Sequence, residues 1–342
     1  MKKKLTALFL ALVMCASLCI PAFALEASKP TLAELAAEHI TVSVSENETT
    51  YANLQEFYLA TREVLPSVSD MDLAKSVLDF TNQPYDDLSE KSILETLDFL
   101  EITTTEQFFH VKEDSAEEVS LEDIVQIESE SVSPLATWTD DDGYIKIVTT
   151  ASKVDSTTSD IPFILTARAT WLKYPVFRFT DTFAITYGGT FDDSYVIEST
   201  FTEAGKCSEC GEVFSWDETE QFGPEGLQTP HFIENSDLIE LDFSQSHAIG
   251  AKIDIKTIYC AHESEGSTVN YAHTTKLTTY LRFRVLASET TEAKAVYVHT
   301  KLSGKITVGA SVVDNSVTPT LKGTLTIVYS DWYANPVTLR CS

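Results

Sequence analysis

Two short segments carry residues with the types and spacing of a metal centre. Cys207-Ser208-Glu209-Cys210-Gly211 sets two thiols at C-x-x-C spacing, and Gly211 can take the positive φ that turns backbone amides toward the sulfurs. Cys260-Ala261-His262 offers a second pair of ligands. Cys207, Cys210, Cys260 and His262 would together close a tetrahedral Cys3His site around zinc. Four protein ligands leave no open position, so this zinc would be structural, not catalytic. Disulfides compete for the same thiols. Cys207, Cys210, Cys260 and Cys341 permit two bridges in any of three connectivities. Four cysteines are too few to be the main scaffold of so long a chain.

The C-x-x-C-G half resembles one knuckle of a zinc ribbon, and the second half departs from that pattern in being C-x-H. A thioredoxin-like redox pair is disfavoured, because that motif opens a helix, whereas Cys207 follows a Thr- and Phe-rich strand pattern. Asp140-Asp141-Asp142-Gly143 lacks the distal Glu of an EF-hand, since the twelfth position is Ala151, and it reads as a turn before a strand. Tyr187-Gly188-Gly189-Thr190 is a turn and not a phosphate loop, because no Lys-Ser/Thr follows. G-x-S-x-G and H-E-x-x-H are absent, and His231, His247, His262, His273 and His299 have no partner at diagnostic spacing. A carboxylate pair for glycoside hydrolysis is spatial and cannot be picked from so many acids. Trp138, Trp171, Trp216 and Trp332 could line a sugar platform or fill a core.

These residues need elements to hold them, and the chain divides by pattern. Lys2-Lys3-Lys4, the apolar run Leu5–Ile20, the breaker Pro21 and Ala22-Phe23-Ala24 have the order of a Sec signal peptide, 1–24, cleaved after Ala24. The run is short for a membrane span, and neither Met14-Cys15 nor Leu18-Cys19 fits a lipoprotein signal. The expectation is a secreted bacterial protein with no stable membrane insertion. Loss of those three lysines leaves 21 basic against 52 acidic residues, taking the net charge from −28 to −31. Such a field repels nucleic acid and anionic membranes.

Residues 25–113 read as an acidic helical region. Thr31–Glu38 is a short helix running into an extended Ile40–Val44, and Tyr51–Leu65 is a second helix stopped by Pro66. Ser69, with Asp72 three residues on, caps a third that ends near Asn82 before Pro84. Leu88–Leu100 reads as a fourth, and Thr105–Phe109 as a further helical turn. Residues 114–136 are a Ser/Glu-rich linker. From 137 to 342 the pattern is β: Tyr144–Thr150, Phe163–Trp171, Tyr195–Phe201, Ile239–Phe243, Ile249–Tyr259, Thr274–Leu286, Lys294–Leu302, Lys305–Val313 and Thr320–Tyr329, with a tight hairpin at Leu302-Ser303-Gly304-Lys305. Arg178 and Asp181 could pair at a corner between strands.

The fold expectation is therefore α+β by segments: a short helical N-terminal region followed by a mainly antiparallel, sandwich-like β domain. The functional expectation is a non-enzymatic extracellular binding or surface-associated protein whose partner is a protein or glycan. A carboxylate-based secreted hydrolase and a structural surface component are the alternatives.

Overall fold

The computed structural model describes residues 29–45, 47–86, 88–111, 116–124, 143–173, 180–206, 213–222, 239–242, 247–255, 259–260, 270–271, 273–300, 306–323 and 329–341. It is mostly antiparallel β-sheet with short helices near the N-terminus. Among the described residues no helix is long and apolar enough to cross a membrane.

The core is a sandwich. The first five strands are β1 (Thr41–Val44), β2 (Thr49–Ala52), β3 (Phe99–Val111), β4 (Ala116–Val119) and β5 (Gly143–Val154). Next come β6 (Ile161–Lys173), β7 (Thr180–Tyr187), β8 (Thr190–Phe191), β9 (Ile197–Lys206) and β10 (Val213–Phe222). They are followed by β11 (Ile239–Asp242), β12 (Ala248–Asp254), β13 (Tyr259–Cys260), β14 (Asn270–Tyr271) and β15 (His273–Ala287). The last are β16 (Thr291–Thr300), β17 (Ile306–Val313), β18 (Ser316–Gly323), β19 (Tyr329–Tyr333) and β20 (Val337–Leu339). A large sheet runs β1-β2-β3-β5-β6-β15-β9-β10, with β4 on β3 and β8 on β15, and a second runs β11-β12-β7-β16-β19, with β20 on β16. Their facing residues share one apolar cluster, with Ile145, Leu165, Phe201 and Phe283 from the large sheet meeting Phe183, Ile249, Ala295 and Tyr297 from the second. The strict alternation Phe163, Leu165, Ala167, Ala169, Trp171 sends every second β6 side chain into this core.

The chain passes between sheets at Gly188-Gly189, where β7 of the second sheet gives way to β8 of the large one. Gly189 has φ +86°, and a Cβ on Gly188 would stand 1.8 Å from Thr291 Oγ1, so the corner requires both glycines. Outside the second sheet lies the hairpin β17–β18, packed through Val308 and Leu321 against Ala184, Val296 and Val298. Its turn is Asp314-Asn315, both at positive φ as a type I′ turn demands. The expected hairpin at Leu302–Lys305 falls outside the described residues. Among the described residues the flanking strands pair elsewhere, β16 with β7, β19 and β20, and β17 with β18.

The helices α1 (Leu32–His39), α2 (Leu54–Val64), α3 (Asp70–Phe80) and α4 (Glu90–Leu94), with a 3-10 turn at Glu95–Asp98, cover the outer face of the large sheet. Thr31 and Glu34 form a capping box on α1, and the Ser69 hydroxyl accepts from the Asp72 amide to start α3. Leu54, Phe57, Leu73 and Val77 are fully buried with Ile102 of β3 and Ile164 of β6. Each contributes about 1.5–3 kcal/mol, so apolar burial is the main force docking this layer. The Gln55 amide also donates to Leu97 O and Phe99 O, both at 3.0 Å.

The structure corrects the expected helix at Leu88–Leu100 and the helical turn at Thr105–Phe109. Only Glu90–Leu94 is α-helical, and Phe99–Val111 is a thirteen-residue strand in the large sheet. Both faces of β3 are covered, the outer by helices and the inner by the sandwich, so the alternation that marks a half-exposed strand is lost. The segment read as helical thus holds β1 to β3, and β4 lies within the segment read as a linker. The signal segment 1–24 lies outside the described residues.

Candidate functional site

The outer face of the large sheet presents three adjacent cross-strand rows. Phe108, Lys146, Thr170, Thr278 and Thr202 form the first, Glu106, Val148, Arg168, Tyr280 and Thr200 the second, and Thr104, Thr150, Thr166, Arg282 and Glu198 the third. These are the polar partners of the alternation that buries the inner face. Hydroxyls and charges dominate them although a layer of helices lies above.

A single helix end sets the opposing wall. At the C-terminus of α3, Asn82 takes φ +54°, its amide donates to Asp79 O at 3.1 Å, and the Gln83 amide donates to Leu78 O at 2.7 Å. That is a Schellman motif with Asn in the left-handed position. It turns the chain down onto the sheet, where Thr150 Oγ1 donates to Gln83 Oε1 at 2.9 Å. Pro84, Tyr85 and Asp86 continue along the sheet face. Between this turn and the sheet are two adjoining cavities. One of about 490 Å³ is lined by Tyr85, Lys146, Arg168 and Thr170; the other, of about 380 Å³, is lined by Asn47, Thr49, Tyr51, Thr104 and Glu106. They share Asn82, Gln83 and Val148.

Three of the charges in this groove, Lys146, Glu106 and Glu48, are paired within the protein, and Asp79, Asp86 and Glu118 also line it. Lys146 Nζ lies 2.6 Å from Glu106 Oε2. Glu48 Oε2 is 2.6 Å from an Arg340 guanidinium nitrogen, while Oε1 accepts from the Thr338 amide and hydroxyl. Desolvation holds the Arg168 guanidinium below its ordinary pKa, against the charges of Tyr280 and Asp86. The Asp79 carboxylate pushes the Tyr85 hydroxyl up, and burial, with Glu106 behind it, pushes up Tyr51. What remains available is the amide and hydroxyl chemistry of Asn82, Gln83, Thr104 and Thr170 together with the carboxylates of Asp79, Asp86 and Glu118.

Next to the groove, Arg282 anchors the helical layer. It donates to Ser92 Oγ at 2.8 Å and to Glu95 Oε2 at 2.7 Å, and lies 3.5 Å from Glu198 Oε2, while Ser92 donates to the same Glu198 oxygen at 2.8 Å. Tyr195 donates to Glu95, and its ring lies under both Arg282 and Arg284, with guanidinium carbons 5.6 and 4.7 Å from the centroid. Desolvation pulls the Arg282 pKa down, yet Tyr280, Tyr195, Glu95 and Glu198 together hold it above its ordinary value.

Arg284 in turn donates to Asp192 Oδ2 at 2.7 Å. Burial pushes Asp192 up, but Ser194, donating from both hydroxyl and amide, and Arg284 bring it below the usual carboxylate range. A carboxylate depressed in the folded state stabilises the fold above its unfolded value, near pH 4, and that contribution is lost as pH falls through the depressed value. Asp192→Asn is therefore expected to destabilise the protein near neutrality, with the gap to wild type narrowing as pH falls below about 4; urea denaturation of both proteins across that range checks it.

A second buried network lies at one end of the sandwich. Asp181 Oδ1 is 2.8 Å from His299 Nδ1, Tyr297 donates to Asp181 Oδ2 at 2.7 Å, and Trp171 Nε1 donates to the Tyr297 hydroxyl at 3.0 Å. An Asp–His contact of this kind orients a general base in many enzymes. Here His299 is 1% exposed, Asp181 is fully buried and His299 Nε2 has no partner among the described residues, so no substrate reaches the imidazole. The network is core.

The residues singled out from the sequence fall as follows. Cys207, Cys210 and His262 lie outside the described residues, and of Cys260 the backbone is described, paired with Asn270 in β13–β14. Among the described residues no cluster of His, Cys, Asp and Glu could hold a metal ion. Cys341 carries a free thiol that donates to Ala287 O at 3.4 Å. Burial pushes that thiol up, with Lys153 opposing. Trp171 is core, which removes it from any sugar platform. Trp138 and the side chains of Trp216 and Trp332 lie outside the described residues, as does Arg178; the Asp181 expected to pair with it bonds Tyr297 and His299. Sequence reasoning missed the groove, although Asn82-x-Pro84 after an apolar helix was a readable turn signal. Comparison with protein-family models and with curated proteins returns no match.

Proposed function

We propose that this chain is an exported, non-enzymatic binding protein that holds a neutral glycan in the groove between the 82–86 turn and the outer face of the large sheet. The observation that carries this reading is the groove's chemistry: Asn47, Asn82, Gln83, Thr49, Thr104 and Thr170 line it with neutral donors and acceptors, and three of its charged groups, Lys146, Glu106 and Glu48, are paired within the protein. A ligand with no net charge and many hydroxyls meets such a surface without leaving a buried charge unpaired. Tyr51 and Tyr85 add half-buried aromatic rings at the two ends. The export signal and the net charge of −31 left after its cleavage fit an extracellular setting and disfavour nucleic acid. The carboxylates Glu106 and Glu48 are bound by Lys146 and Arg340, which makes them poor proton donors for glycoside hydrolysis.

Isothermal titration with neutral β-linked tetrasaccharides (cellotetraose, xylotetraose, mannotetraose and chitotetraose) tests the reading. At least one is expected to bind with a dissociation constant below about 1 mM, and Tyr85→Ala to weaken it about tenfold. Absence of binding across the panel overturns the reading, and release of reducing ends would make the protein a hydrolase instead.

A further inference from the structure

The groove does not stop at Tyr85. Tyr85 and Asp79 line the cavity of about 490 Å³ and also a third one of about 740 Å³, so the two adjoin at this pair. The third cavity is a trough along α3. Asp72, Lys75, Ser76, Asp79 and Phe80 line it at the three- and four-residue spacing of one helix face. Leu32 and Ala33 of α1, with Val68, line it as well. From Asp72 to Phe80 it follows eight residues of helix, about 12 Å.

Its lining differs in kind from that of the groove. Leu32, Val68 and Phe80 are half-buried and supply an apolar surface, while Asp72 and Asp79 stand exposed beside it. A β-linked pyranose ring has both characters, with C–H groups on its faces and hydroxyls at its edge. Apolar walls with a few polar groups are the usual lining of a ligand site. Tyr85 stands where the two cavities meet. Its hydroxyl faces the Asp79 carboxylate, and Lys75 Nζ lies 5.8 Å from its ring centroid. Charge disfavours a second copy as the occupant, since mature chains of net charge −31 repel one another.

Resting on the glycan reading above, we propose that the trough continues the binding site past Tyr85, so that the ligand is a long glycan chain held along its length. The rings beyond Tyr85 lay their faces on Phe80, Val68 and Leu32. The partner is then a polysaccharide, and a tetrasaccharide occupies only the groove.

Titration of wild-type protein with the tetrasaccharide and the hexasaccharide of each series (cello-, xylo-, manno- and chito-) tests this. In the series that binds, the hexasaccharide is expected to bind at least tenfold tighter. The double variant Ala33→Gln/Ser76→Gln fills the trough with neutral, helix-forming side chains. It is expected to cut that ratio at least threefold and to leave tetrasaccharide affinity unchanged. A longer chain also has more registers on a short site, but that gain survives in the variant. Equal wild-type affinity for the two lengths, or a ratio that survives in the variant, overturns the extension and leaves the groove reading standing. A wild type that sediments as a dimer beside a monomeric variant overturns the extension by seating a second copy in the trough. Binding of no sugar overturns both readings. Ala33→Gln alone, at an exposed position, replaces the double variant if that fails to fold.

Discussion

Replacing Arg282 with Met is expected to lower the unfolding free energy by about 3 kcal/mol. The guanidinium is 5% exposed and joins Ser92, Glu95 and Glu198, so the substitution strips two carboxylates of their cation while filling the space. Removing one partner of a buried pair costs roughly 3–5 kcal/mol. The lower end applies because Glu95 keeps a side-chain exposure of 21% and can recover some hydration. Tyr195 loses one of the two cations over its ring and keeps Arg284. Adding Glu95→Gln and Glu198→Gln to the Met variant is expected to restore most of the loss, since neutral amides need no counter-ion. Urea denaturation of the single and triple variants checks both statements. A single variant within 1 kcal/mol of wild type (about fivefold in the equilibrium constant) sinks the idea that this network anchors the helical layer.

Asp181→Ala is expected to cost a comparable amount, about 3 kcal/mol, for a different reason. The carboxylate is fully buried and takes the Tyr297 hydroxyl and His299 Nδ1. Its removal leaves His299 with both ring nitrogens unmet by the partners described, while Tyr297 keeps its bond from Trp171. Each hydrogen bond to a charged group contributes about 1.5–3 kcal/mol. His299→Phe in the Asp181→Ala background is expected to recover part of the loss by removing the stranded imidazole. A double-mutant cycle read from denaturation midpoints measures the coupling, and strict additivity of the two changes would show that Asp181 and His299 do not act as a pair.

These two networks show where sequence reading ends. Arg282 and Glu95 are 187 residues apart, and Asp181 and His299 are separated by 118. Spacings of that size carry no periodicity, and each residue alone looks like one more charge or histidine in an acidic chain. The groove has the same origin. Lys146 and Arg168 stand on neighbouring strands at rows set by register, and Gln83 reaches Thr150 of the same sheet face because a helix ends where it does. The missed strand at Phe99–Val111 differs: its Thr and Phe content was visible, but cover on both faces hid the alternation that would have named it.

What the sequence determined by itself is local. Thr31 with Glu34 and Ser69 with Asp72 cap helices wherever those helices are placed, because the hydroxyl and the amide it accepts are three residues apart. The alternation from Phe163 to Trp171 obliges a strand with one apolar face. The tertiary structure alone decided which polar face of that strand meets which turn, where Lys146, Glu48 and Arg282 find their partners, and that a groove is left beside Gln83. Those outcomes depend on strand register and layer packing, which are summed over contacts distant along the chain and written in no single stretch of it.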